Sequence, residues 1–211
     1  MNLSKLFILE EYKQIGVLQN IDGYKVETVY APSGRLYVRK TVQKCGNLYH
    51  LLASLDCGFL PKIYYVADDL EGNIHTTYII EEYVSGSKLE DILYAEKSLC
   101  RAEVKLLCLK LCRAINELHK KRIVHGNLNL SNIFILEHSI DFKLVDFACS
   151  SCATYKGLAK DNDALLKIIG CLAERYNEPW ILGAARNFSS SHKYYDANSL
   201  DELCDALVKT I

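Results

Sequence analysis

The segment Ile123–Ala148 reads IVHGNLNLSNIFILEHSIDFKLVDFA, and its reading decides the fold. Two short apolar runs, Ile133–Leu136 and Phe142–Val145, have the length and composition of strands. Polar residues flank them: His125, Asn127, Asn129 and Asn132 before the first, Asp146 after the second. A hairpin of this kind brings an Asn amide and an Asp carboxylate together at one end. Hard oxygen ligands of that type suit Mg²⁺, which commonly takes one or two protein ligands and completes its shell with phosphate oxygens and water. Alone, such a hairpin is as readily a buried turn with polar ends. The order and spacing of the polar residues decide for a site.

That order resembles the catalytic and metal-binding core of protein kinases. The pattern H-R-D-L-x-x-x-N followed by D-F-G is matched by His125-Gly126-Asn127-Leu128-Asn129-Leu130-Ser131-Asn132 and Asp146-Phe147-Ala148. The resemblance makes Asn132 and Asp146 the metal ligands. It places Asn127 at the position of the catalytic Asp, Asn129 at that of the lysine that usually follows, and Ala148 at that of the last Gly. The metal side of the pattern is kept and the proton-accepting side is changed.

Length and composition agree with a globular chain. At 211 residues and 50% hydrophobic, it can bury a sizeable core and hold one or two lobes. A net charge of −1 gives no electrostatic footprint for nucleic acid or a membrane surface. Met1–Glu10 lacks the basic start and apolar run of a signal peptide, and no apolar stretch is long enough to span a bilayer. The expectation is a soluble, cytoplasmic protein. Nine cysteines, an odd and scattered set, read as free and mostly buried thiols. The single C-x-x-C, Cys149–Cys152, lacks the second half of a zinc site.

Towards the N-terminus, alternation and the turn signals Asp22-Gly23 and Pro32-Ser33-Gly34 predict an antiparallel meander near residues 12–18, 25–30 and 35–42. The third strand resembles the kinase strand V-A-I-K, which makes Lys40 the lysine that holds nucleotide phosphates. The Gly-rich loop is poorly matched. Only Gly16 and Gly23 are present, and Gly23 reads better as the turn residue of a hairpin. Asn47–Leu55 predicts a helix with Leu48 where kinases carry the Glu that pairs with the lysine, so Lys40 is expected to lose that partner unless a distant acid substitutes. Residues 63–66 and 78–83 predict two more strands. Tyr78–Val84 resembles the kinase hinge, whose backbone around Glu82 and Val84 would bind adenine.

A helix is predicted over Ala102–Lys121, where Val104, Leu107, Cys108, Leu111, Ile115 and Leu118 recur at helical spacing and basic residues close the end. A second over Asp161–Glu174 carries Asp161, which the resemblance assigns to bracing the catalytic loop. A third over Ser199–Ile211 has Ser199 as its N-cap. Between these last two, helices are expected to be shortened or missing, and no A-P-E closes the activation segment. The implied fold is α+β and two-lobed. A small antiparallel-sheet lobe with one helix spans residues 1–84, and a mostly helical, abbreviated lobe spans 85–211.

The resemblance implies a catalytically impaired kinase-like module that holds ATP with Mg²⁺ and works through a protein partner. An Asn amide has no useful basicity, and general-base assistance is worth roughly 10²–10⁴-fold. Asn129 removes a cation that would stabilise the transferring group. Two alternatives stay open. Kinase-like AMPylases also replace the catalytic-loop Asp while keeping H-G and the following Asn residues. A small active kinase of the aminoglycoside-phosphotransferase-like group, with Asn127 in place of its Asp, fits the same loop.

Overall fold

The computed structural model describes residues 3–95, 99–147, 151–152, 154–191, 196 and 198–209. The chain divides into two compact units, Met1–Val84 and Ser85–Ile211.

The first unit is a five-stranded antiparallel sheet with a helix on each face. Its strands are β1 (Lys13–Ile21), β2 (Tyr24–Tyr30), β3 (Leu36–Gln43), β4 (Ile63–Glu71) and β5 (Ile74–Glu82), in the order β1-β2-β3-β5-β4. The predicted meander is present, with β1 and the last hairpin longer than expected. Gly23 is a turn residue at φ +72°, a left-handed conformation that glycine adopts without a Cβ penalty. The β1–β2 connection is therefore a two-residue turn, not an open glycine loop.

Helix α1 (Leu3–Glu11) was not anticipated from the sequence. It covers one sheet face, where Ile8, Tyr12, Val29, Ala67 and Ile80 form a buried cluster. The tie is polar as well. The Arg39 guanidinium donates to the carbonyls of Ile8 (3.4 Å) and Tyr12 (3.1 Å) and pairs with Glu27 at 3.0 Å. Two of the carbonyls at the end of α1 are thus satisfied by one fork-shaped cation. Helix α2 (Leu48–Ala53) is shorter than predicted. It sets Tyr49 against the opposite face, with the Lys40 ammonium 5.9 Å from the ring centroid.

The second unit is mostly helical. A short strand β6 (Gly86–Lys88) leads into α3 (Leu89–Tyr94), then α4 (Arg101–Lys120). The six apolar residues that predicted α4 are all buried, each contributing about 1.5–3 kcal/mol of apolar burial. Its start is capped by Glu103, whose carboxylate accepts from the Cys100 N–H at 2.7 Å. After β7 (Ile123–Val124) the expected hairpin forms: β8 (Ile133–Leu136) and β9 (Phe142–Leu144) pair antiparallel, with β6 on the outer side of β8. Gly86 is required there, since a Cβ would collide with the Ile135 carbonyl. Strand β10 (Ser151–Cys152) pairs with β7.

Helix α5 runs over Tyr155–Arg175, six residues earlier than predicted, because Thr154 caps it by accepting from the Gly157 N–H at 3.1 Å. A full helix, α6 (Pro179–Ser191), lies where helices were expected to be shortened or missing, with Pro179 at its first position. Helix α7 spans Asp201–Val208. Ser199 is not its cap, because its hydroxyl is taken up by Asp196 in the preceding turn, accepting from its N–H at 2.6 Å. Helix α7 is fastened to α4 through Asp201, which accepts from Asn116 and Lys120 at 2.7 Å each, and through the buried Cys112 and Cys204 sulfurs, 2.9 Å apart. The α+β class and the sheet-then-helices arrangement are as expected. Among the described residues, no helix is long and apolar enough to cross a membrane.

Candidate functional site

In the second unit, the turn between β7 and β8 gathers three of the sequence-identified residues. The Asn127 amide nitrogen donates to Asp146 Oδ2 at 2.7 Å, and the Asn132 amide nitrogen lies 3.5 Å from the same oxygen. Asn132 Nδ2 also donates to the Asn127 carbonyl at 2.8 Å, which fixes the amide and leaves its Oδ1 as an acceptor. Asp146 sits at φ +65°, a left-handed conformation uncommon for a residue with a Cβ. Its neighbour holds it there: the Val145 N–H donates to the Asn132 carbonyl at 3.0 Å, and the Val145 carbonyl lies 3.1 Å from His125 Nε2.

Asn129, at the lysine position, is used structurally. Its Oδ1 accepts from the N–H groups of Ser131 (2.9 Å) and Asn132 (3.2 Å), capping the one-turn helix Leu130–Asn132. Its amide donates to the Asn127 carbonyl at 3.0 Å. A cation does reach this loop, from elsewhere: the Lys160 ammonium on α5 donates to the Gly126 carbonyl.

Asp161 braces the loop. It is buried, and its two oxygens accept from the His125 N–H (2.7 Å) and the Gly126 N–H (2.8 Å), with His119 Nε2 at 3.2 Å. Burial pushes its carboxyl up. The His119 contact and the two backbone N–H groups outweigh burial and hold it below the usual carboxylate range. The buried His125 ring rests against Phe147, with centroids 4.4 Å apart.

In the first unit, Lys40 is on β3 and 3% exposed. No acid on α2 partners Lys40; a distant one substitutes, with Lys40 Nζ and Glu81 Oε1 2.6 Å apart. The partner comes from the neighbouring strand, not from α2. Glu82, by contrast, is engaged at its own strand end. Its N–H donates to the Lys62 carbonyl at 2.8 Å, and its carboxylate accepts from the Lys62 N–H at 3.0 Å. Val84 lies two positions beyond the last paired residue of β5. Ala148 and Cys149, and the side chain of Cys152, fall outside the described residues.

Kinase domains generally use ATP with Mg²⁺, and the side chains at the second unit's site are compatible with that pair. They supply one carboxylate and one amide oxygen, a set that Mg²⁺ takes when phosphate oxygens complete its shell. Among the described residues no group of three or more His, Cys, Asp or Glu side chains forms a metal cage.

Two functional residues escaped the sequence reading. Glu81 had a legible signal, an acid directly after the apolar run Tyr78–Ile80. Lys160 had none, since a lysine beside Asp161 reads as a solvated helix charge.

Comparison with known proteins agrees with this geometry. The family model described as protein kinase domain matches residues 37–192. Serine/threonine-protein kinase 1 of Heliothis zea nuclear polyhedrosis virus is 32% identical over 114 residues, covering 52% of this chain and 41% of that protein. The hormonally up-regulated neu tumor-associated kinase of Mus musculus is 29% identical over 121 residues, 57% of this chain and 16% of that protein. The chain thus spans less than half the length of these relatives. The sheet-and-helix architecture, the loop with its bracing Asp161 and the family match lead to one conclusion: this chain belongs to the protein kinase domain family.

Proposed function

We propose that this chain is a catalytically impaired kinase-type domain that holds ATP with Mg²⁺ and acts as a regulatory or interaction module toward a protein partner. The observation that carries this reading is the Asn127 amide donating to Asp146 at 2.7 Å. A residue at the proton-accepting position has become a hydrogen-bond donor turned toward the metal ligand, and it can take no proton from a substrate hydroxyl.

Within the first unit, Lys40 offers a charge suited to phosphates and Glu82–Val84 a hinge backbone suited to an adenine; within the second, Asn132 and Asp146 offer oxygens suited to a cation. Eight residues, 147–154, separate Asp146 from the start of α5 at Tyr155, which leaves little chain to form a platform for a peptide.

A thermal-melt titration of the full chain with Mg·ATP tests the holding function. At about 100-fold excess over Kd, bound nucleotide adds about 2.7 kcal/mol, a shift of several degrees for a chain of this size. A melt unchanged at millimolar Mg·ATP would remove nucleotide from the account and leave an interaction module alone.

A further inference from the structure

The polar fastening of α7 to α4 at Asp201 has a sulfur counterpart one turn away. Asp201 and Cys204 stand three residues apart on α7, and their partners Asn116 and Cys112 stand four apart on α4. Both pairs therefore lie along one antiparallel helix seam. Cys112 and Cys204 are free thiols with their sulfurs 2.9 Å apart, so about 0.9 Å of approach would reach the about 2.05 Å of an S–S bond. Cys108, one turn back on α4, is buried too, and burial pushes its thiol up to about 12, which leaves it inert.

The two facing sulfurs are not equivalent. Cys112 is fully buried, whereas Cys204 keeps 8% exposure, so a small oxidant meets Cys204 first. The hydrogen bond between the sulfurs holds the Cys204 thiol below its ordinary value against burial, helped by Arg113 and opposed by Asp201 and Asp205. The same bond, together with burial, pushes the Cys112 thiol up. Because the thiolate is the nucleophile, Cys204 is suited to attack and Cys112 to resolve.

We propose that Cys112 and Cys204 are a site of reversible oxidation by hydrogen peroxide, forming a disulfide that latches α7 covalently to α4. The Cys204 thiolate attacks one peroxide oxygen. The S–O bond forms as O–O breaks, leaving a sulfenic acid and a hydroxide that takes up the proton Cys204 released. Cys112 then attacks the Cys204 sulfur, S–S forms as S–O breaks, and the departing hydroxide takes the Cys112 proton. Two thiols have lost two electrons and two protons, and the peroxide has become two waters. A dithiol restores both cysteines by exchange. The bond joins residues 92 positions apart, and a cross-link over so long a loop restricts the unfolded chain strongly. The latch does not depend on nucleotide being held.

The test uses the full chain, reduced, desalted and exposed to hydrogen peroxide, then blocked with N-ethylmaleimide and digested with trypsin without reductant. Trypsin places Cys108, Cys112 and Cys204 in separate peptides, residues 106–110, 111–113 and 194–209. Mass spectrometry should find 111–113 joined to 194–209, lighter by the two lost hydrogens, and dithiothreitol should abolish that species. The oxidised chain should melt several degrees above the reduced chain and fall back with dithiothreitol. C204S should show neither the species nor the rise, and C108S should show both. Recovery of Cys112 and Cys204 as blocked thiols after peroxide, or of Cys204 as a sulfinic acid beside a blocked Cys112, would overturn the proposal. A joined species without a change in melt would overturn the latch. If C204S does not accumulate as folded protein, the wild-type peptide map and its reversal by dithiothreitol decide.

Discussion

The Lys40 ammonium and the Glu81 carboxylate form a buried ion pair at 2.6 Å between adjacent strands of the first unit. Register explains the meeting. Val38 is paired with Glu81 across β3 and β5, and Lys40 stands two residues from Val38, so the two side chains are diagonal neighbours on one sheet face. They are 3% and 5% exposed, so both charges are withdrawn from water and each is stabilised by the other.

Removing one partner should therefore cost far more than removing both. We expect K40M and E81Q each to lower unfolding stability by about 3–5 kcal/mol, and K40M/E81L to recover most of that loss. Urea denaturation with an unchanged slope measures it. Single variants that cost no more than a surface substitution would show that the pair contributes little.

Asp161 is expected to contribute to the acid sensitivity of the second unit. Its folded-state carboxyl is held below the ordinary range, so its contribution is fully present above the unfolded value of about 3.9 and is lost as pH falls through the lower folded value. D161N would turn an amide N–H toward one of the backbone N–H groups that the carboxylate now serves. We expect it to cost about 2–4 kcal/mol at neutral pH. The difference from wild type should shrink as pH falls below the unfolded value of about 3.9. Stability curves of both proteins between neutral and acid pH check the sign and the window. A constant difference across that range would remove Asp161 from the acid limb.

Much of this molecule was legible in its sequence. The hairpin strands, α4 and the loop were readable because apolar periodicity and flanking polar residues are local signals. Helix α1 was not, since Leu3–Glu11 lacks a clean apolar stripe and is held by the non-local Arg39 forks onto Ile8 and Tyr12. Helix α6 carries a start signal in Pro179, but helices there were expected to be shortened or missing. For the site, residue identities were readable and their partners were not. Glu81 reaches Lys40 through strand register, and the donor role of Asn127 follows from where Asp146 is placed. Both are long-range relationships that spacing along the chain does not encode.

On the proposed function, this domain holds nucleotide without transferring its phosphate, and one experiment addresses both halves. The full chain is dialysed to equilibrium against γ-labelled ATP with MgCl₂, then precipitated in acid with a generic protein acceptor present. Label should be retained by the native chain and be absent from the acid precipitate. Acid-stable label on the chain or the acceptor, or no retention at all, would contradict it.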